Sequence, residues 1–204
     1  MERIPTLLAV VALTLSALPS AADPSSSGAN KLRADMRKLW EDHVTWTRVY
    51  IISAVADLED QKAAAGRLLE NQVDIGDAIK PIYGDAAGTK LTALLEDHIK
   101  IATEVIAAAK AGDAVKKEDA GNRWYHNADD VATFLAGANP EYWPASEMKK
   151  MMRDHLDLTT AEVVARIQKN WSADVAAYDK VHDAILMMAD MLSEGIIRQH
   201  PGKF

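Results

Sequence analysis

The chain has 204 residues, no cysteine and a formal net charge of −7, from 23 Lys and Arg against 30 Asp and Glu. That composition excludes a disulfide scaffold and a thiolate metal site, and with no basic run it argues against nucleic acid or an anionic membrane surface as the main partner. No stretch beyond the first 22 residues approaches the roughly 20 uninterrupted apolar residues of a membrane span, so none is expected.

Arg3, an apolar run from Leu7 to Leu18 and the small residues Ser20, Ala21 and Ala22 have the layout of a signal peptide over residues 1–22, which places the mature protein in the periplasm or outside the cell. Residues 23–30, rich in Ser, Gly and Pro, read as a flexible lead-in, and 31–204 as a single domain with a sizeable core. From Lys31 to about Asp57 the apolar residues Leu32, Met36, Leu39, Trp40, Trp46, Val49 and Tyr50 recur at three and four, which predicts a long amphipathic helix.

A turn at Leu58-Glu59-Asp60 leads to a second helix from about Gln61 to Lys80, where Pro81 is expected to stop it. A third runs from Leu91 to Lys110, ended by Ala111-Gly112-Asp113, and a fourth carries Trp124 and Asn127 to about Ala136. Gly84, Gly88 and Gly112 read as turn residues. Gly137, Asn139, Pro140 and Pro144 build the longest loop, in which Trp143 is either a lid or a plug, and Ser146 and Glu147 open a fifth helix. Thr159-Thr160-Ala161-Glu162 fits a capping box or a helix interior. The repeat described next favours the interior, which puts the last turn near Asn170 to Ser172 and a final helix to about Arg198. Strand alternation is absent, so the expected fold is an all-α, up-and-down bundle of about six helices.

One pattern returns three times, as Leu39-Trp40-Glu41-Asp42-His43-Val44, Leu95-Glu96-Asp97-His98-Ile99 and Met152-Arg153-Asp154-His155-Leu156. The histidines are 98 − 43 = 55 and 155 − 98 = 57 residues apart, a period of two antiparallel helices with their turns. Asn71-Gln72-Val73-Asp74-Ile75 likewise recurs as Asn127-Ala128-Asp129-Asp130-Val131, 56 residues on. The last helix departs from this pattern and offers Asp174, Asp179 and His182. The chain therefore reads as three repeated helical hairpins.

Counting the helical rise from each expected turn brings His43, His98, His155, His182, Asn71, Asn127, Asp74 and Asp130 to one layer. Imidazole with carboxylate suits a divalent transition metal (Zn, Fe, Mn, Ni or Cu). The four histidines are the first expected ligands and Asp74 and Asp130 the next, with Asn71 and Asn127 as oxygen ligands or as groups that orient the imidazoles. The same residues also fit a satisfied hydrogen-bond layer in a structural bundle, or in one that binds a small ligand, a protein partner or its own copy. Met148, Met151, Met152, Met187, Met188 and Met191 cluster in the last two helices, as a thioether copper set or as a flexible core stripe. There is no Glu-x-x-His, no His-Glu-x-x-His, no nucleophile in a recognisable setting and no Gly-rich phosphate loop. Binding is expected rather than catalysis.

From Leu39–Arg48 through Asn71–Gly76 and Asn127–Asp130 to His155–Thr160, the chain resembles a family of small exported bacterial all-helical proteins. The resemblance implies an exported helical protein and carries no catalytic residue. The transferase or kinase labels of some members call for an α/β nucleotide-binding pattern that this chain lacks.

Overall fold

The computed structural model describes residues 26–204, so the signal-peptide reading of residues 1–22 lies outside the described residues. Six helices follow in order, α1 (Ser27–Ala56), α2 (Gln61–Tyr83), α3 (Asp85–Ala111), α4 (Ala114–Ala138), α5 (Ala145–Ile167) and α6 (Trp171–Gln199), with a 3-10 turn at Pro201–Lys203 and no strand among the described residues. Among the same residues no helix is long and apolar enough to cross a membrane.

Local chemistry explains the helix ends, including those that differ from expectation. α1 begins at Ser27 rather than Lys31 because Ser26 caps it, its Oγ accepting from the Ala29 amide at 3.2 Å. Ala29 is buried, so the end of the expected lead-in is the first turn of the bundle. Pro81 does not stop α2, which continues to Tyr83. A proline in the last turn removes one helix hydrogen bond without ending the run. The stop is Gly84, at φ 87°, a conformation only glycine adopts freely, and α3 starts one residue later. Gly88 is a contact residue rather than a turn: a Cβ there would lie 2.6 Å from the Gly76 carbonyl oxygen, and one on Gly76 would lie 2.7 Å from that of Gly88. α2 and α3 therefore touch backbone to backbone. Thr159 and Thr160 lie inside α5, and Asn170 caps α6 by accepting from the Ala173 amide at 3.2 Å.

With connections this short, successive helices run antiparallel. Each helix packs on the next, and α6 closes the ring on α1, while α1, α3 and α5 also meet one another on the inside. One end of the bundle carries Ser26, Gly84, the 139–144 loop and Phe204; the other carries the turns at 57–60, 112–113 and 168–170. Trp143 is a plug, 2% exposed, with its indole lying on Gly195 of α6 and its ring 6.0 Å from that of Tyr83. Asn139 fixes the same end by donating from Nδ2 to the Gly195 carbonyl at 2.9 Å.

The apolar interior falls into two clusters. The larger includes Met36, Trp40, Val44, Leu95, Met152 and Leu156, and the smaller, toward the Gly112 end, includes Tyr50, Ile51, Leu68, Ile106 and Val163. Beside the smaller cluster, Arg48 of α1 donates to Glu162 of α5 at 2.6 Å and with both terminal nitrogens to Asp174 of α6 at 2.9 and 3.2 Å. Arg166 completes the group by donating to Asp174 at 3.1 Å. Both carboxylates are 1% exposed. Removing one member of such a buried network strands its partners' charge. Arg48→Met should therefore cost about 3–5 kcal/mol in urea unfolding; a loss below about 1 kcal/mol would mean that the network does not hold α1 to α5 and α6.

Candidate functional site

The three Asp-His repeats put one histidine on each of the inner helices, His43 on α1, His98 on α3 and His155 on α5. All are buried. The ring centroids of His43 and His155 are 5.7 Å apart and those of His98 and His155 6.3 Å apart. The preceding residues Asp42, Asp97 and Asp154 point away from the layer, toward Lys38, Lys100 and Lys150.

The protonation of His98 follows from its partners. The indole Nε1–H of Trp124 can only donate, and it lies 3.1 Å from His98 Nε2, which must accept. The ring proton is then on Nδ1, which donates to Asn127 Oδ1 at 2.8 Å, and Asn127 Nδ2 donates to the Leu94 carbonyl at 3.0 Å. Every member has its complement, and neither ring nitrogen of His98 is left over.

Asn71 repeats one part of this arrangement, its Nδ2 donating to the Leu39 carbonyl at 3.0 Å. Leu39 and Leu94 each stand four residues before a histidine, so both asparagines tie an even-numbered helix to the same place on an odd-numbered one. Asn71 Oδ1 is occupied by Gln72 Nε2 at 3.1 Å rather than by an imidazole. His43 Nδ1, Gln72 Oε1 and His155 Nδ1 have no hydrogen-bond partner among the described residues and are buried.

Burial favours the neutral form of all three imidazoles. His43 is held down to about 3, chiefly by desolvation and then by nearby His98, with Gln72 opposing. His98 is held down to about 4 by desolvation against the opposing bond to Asn127. His155 falls well below the usual range through desolvation, then His43 and His98.

A cavity of about 210 Å³ borders the three imidazoles and extends toward the Gly112 end between α1, α3, α4 and α5. Its walls are mainly apolar, with Ile99, Ala102, Val105, Ile106 and Val163 among them, and Lys117, Gly121 and Tyr125 of α4 line another part. Thr47 and Thr159 follow His43 and His155 by one turn, and each returns its hydroxyl to that histidine's own carbonyl, at 2.7 and 2.8 Å. Ala102 takes the corresponding place after His98 and leaves room.

The structure thus gathers His43, His98 and His155, with Asn71 and Asn127 behind them. It does not bring in the others. Asp74 and Asp130 are on the outer surface, beside Arg67 and His126, because Asn71 and Asn127 sit at one edge of the buried faces and an Asp three residues on lies about 60° further round the helix. His182 is part-exposed on α6, 3.1 Å from Glu41. Among the described residues no three His, Asp or Glu side chains are placed to hold a metal ion together. Sequence reasoning gave no role to Gln72, Thr47 or Thr159, although His-x-x-x-Thr occurs at both 43–47 and 155–159. It also missed the group of Arg48, Glu162 and Arg166 around Asp174, in which Arg48 stands 114 residues before Glu162. Against protein-family models, curated proteins and solved structures the chain finds no match.

The buried imidazoles set an acid limit on stability. Their folded pKa values lie below the unfolded value of 6.5, so the stabilisation is fully present above pH 6.5 and is lost as pH falls toward the folded values. Glu162, pushed up to about 7 by burial against Arg48, acts in the opposite sense, its contribution being lost as pH rises from 4.5 to 7. Three protons against one leave a net two, so stability should fall with a slope approaching about 2.7 kcal/mol per pH unit between pH 6 and 4.5. Urea unfolding across that range checks this, and His155→Phe should lower the slope by about half.

Proposed function

We propose that the protein is an exported ligand-binding bundle of three related helical hairpins, α1–α2, α3–α4 and α5–α6, that takes a small, neutral, largely apolar molecule with one hydrogen-bonding group. A single observation carries the reading. The cavity has mainly apolar walls and also borders His43 and His155, each with a buried Nδ1 that lacks a partner. An apolar pocket with a few convergent polar groups is the usual form of a small-molecule site. The size agrees, since an apolar cavity of about 150 Å³ accommodates benzene. The charge state at the histidine end agrees as well: neutral imidazoles there offer a hydrogen bond but no counter-charge, which disfavours an ionised group beside them, and Lys117 lines another part of the cavity.

A divalent transition metal at the same layer is the second reading, supported by the proximity of His43 and His155 and by their unpartnered nitrogens. It draws no support from His98, whose nitrogens are both engaged, or from the surface carboxylates Asp74 and Asp130.

Calorimetric titration with 1-naphthol, and with naphthalene as the analogue lacking the hydroxyl, tests the proposal. We expect saturable one-to-one binding of 1-naphthol, binding of naphthalene at least fivefold weaker, and loss of both in Ala102→Leu, which fills the cavity while circular dichroism confirms retained helix. Equal binding by Ala102→Leu would place the ligand elsewhere. No binding of either probe, together with stoichiometric Zn uptake abolished by His43→Phe, would favour the metal reading instead.

A further inference from the structure

The third hairpin departs from the other two at one position. In the first two, an asparagine stands 32 or 33 residues after the residue one turn ahead of the histidine, giving the bonds from Asn71 to Leu39 and from Asn127 to Leu94. The matching residue on α5 is Met151, and 151 + 33 = 184, which is alanine. Where the other hairpins fill this place with an amide, α5 and α6 leave a half-open pocket of about 280 Å³, lined by Met151, His155, Met187, Met188 and Met191, with Glu147 and Lys150 also on its wall.

Thioether sulfur is concentrated on both sides of this pocket. Met151 and His155 are one turn apart on α5, and Met187 and Met191 one turn apart on α6 with Met188 between them. Met187 is 66% exposed and Met188 buried, so the thioethers of α6 range from solvent to the interior. His155 supplies the pocket's only imidazole, and its Nδ1 lacks the amide partner that Asn127 gives His98. Asp154, a carboxylate on the wall, is engaged by Lys150.

We propose that this pocket binds a soft monovalent metal ion, Cu(I), through the thioethers of Met151, Met187, Met188 and Met191, with His155 as the nitrogen donor. Thioethers select Cu(I) over harder divalent ions, and neutral donors suit a singly charged ion better than a dication. The four methionines stand apart from the larger cavity, which none of them lines, whereas His155 borders both pockets.

The test is an anaerobic titration of the protein with Cu(I) in competition with bicinchoninate, repeated with Ag(I) as a redox-inert probe and followed by methionine methyl NMR. One ion per chain should bind and shift the methyl signals of Met151, Met187, Met188 and Met191 while those of Met36 and Met148 stay in place. Met187→Leu with Met191→Leu, a change of nearly constant volume, should weaken binding at least tenfold and leave 1-naphthol binding unchanged. His155→Phe should also weaken Cu(I) binding if helix content is retained. Absence of Cu(I) and Ag(I) binding, undiminished binding by the double methionine variant, or Zn binding as tight as Cu(I) would each overturn the proposal.

Discussion

The relay from the Trp124 indole through His98 and Asn127 to the Leu94 carbonyl governs the middle of this bundle. Its direction is dictated by its first member, because an indole N–H has no acceptor role, and every following donor and acceptor is then fixed. A proton added to His98 would set two donors against each other at Nε2. The imidazole must stay neutral for the relay to exist, and burial between two apolar clusters imposes the same condition. Geometry and solvation thus reinforce one another at His98. At His43 and His155 the neutral form rests chiefly on desolvation and then on the neighbouring imidazoles, since their Nδ1 atoms have no comparable partner among the described residues. That difference turns three similar sequence repeats into one locked imidazole and two available ones.

Charge is handled elsewhere in the fold by a different rule. Glu162 and Asp174 are as deeply buried as the histidines but are matched by Arg48 and Arg166, whose planar faces also stack on Tyr178 and Trp171 at 4.7 and 4.9 Å. A guanidinium cannot discharge by losing its proton, so the pairing has to be built into the packing of α1, α5 and α6. Neutral imidazoles and amides lie among the inner helices at the histidine layer, whereas guanidinium–carboxyl contacts link α1 and α5 to α6.

Much of the fold was legible because helical periodicity and a long repeat are properties of local sequence. The turns at Leu58–Asp60, Gly112 and Asn170 and the continuity of α5 through Thr159 all follow from it. The misread positions share a cause: their outcome depends on a distant neighbour. Gly88 resembles a turn residue until Gly76 is brought against it, and Ser27–Asn30 resemble a loose lead-in until Phe204 reaches Gly28. At the site, counting residues from the turns gave height along the bundle but not rotation about each helix axis. Height put Asp74 and Asp130 beside the histidines, and rotation put them outside. The asparagines were placed correctly because Asn71 and Asn127 sit on the buried faces of α2 and α4.

The ring closes where the chain begins and ends its described course, with Gly28 packed against the backbone of Phe204. The first and last described residues therefore lie at the end that carries the Trp143 plug, while the larger cavity extends toward the opposite end. A pull applied at Ser26 or Phe204 acts on one pole of the molecule and leaves the other clear. Held at that pole, the bundle would stand with its larger cavity turned outward.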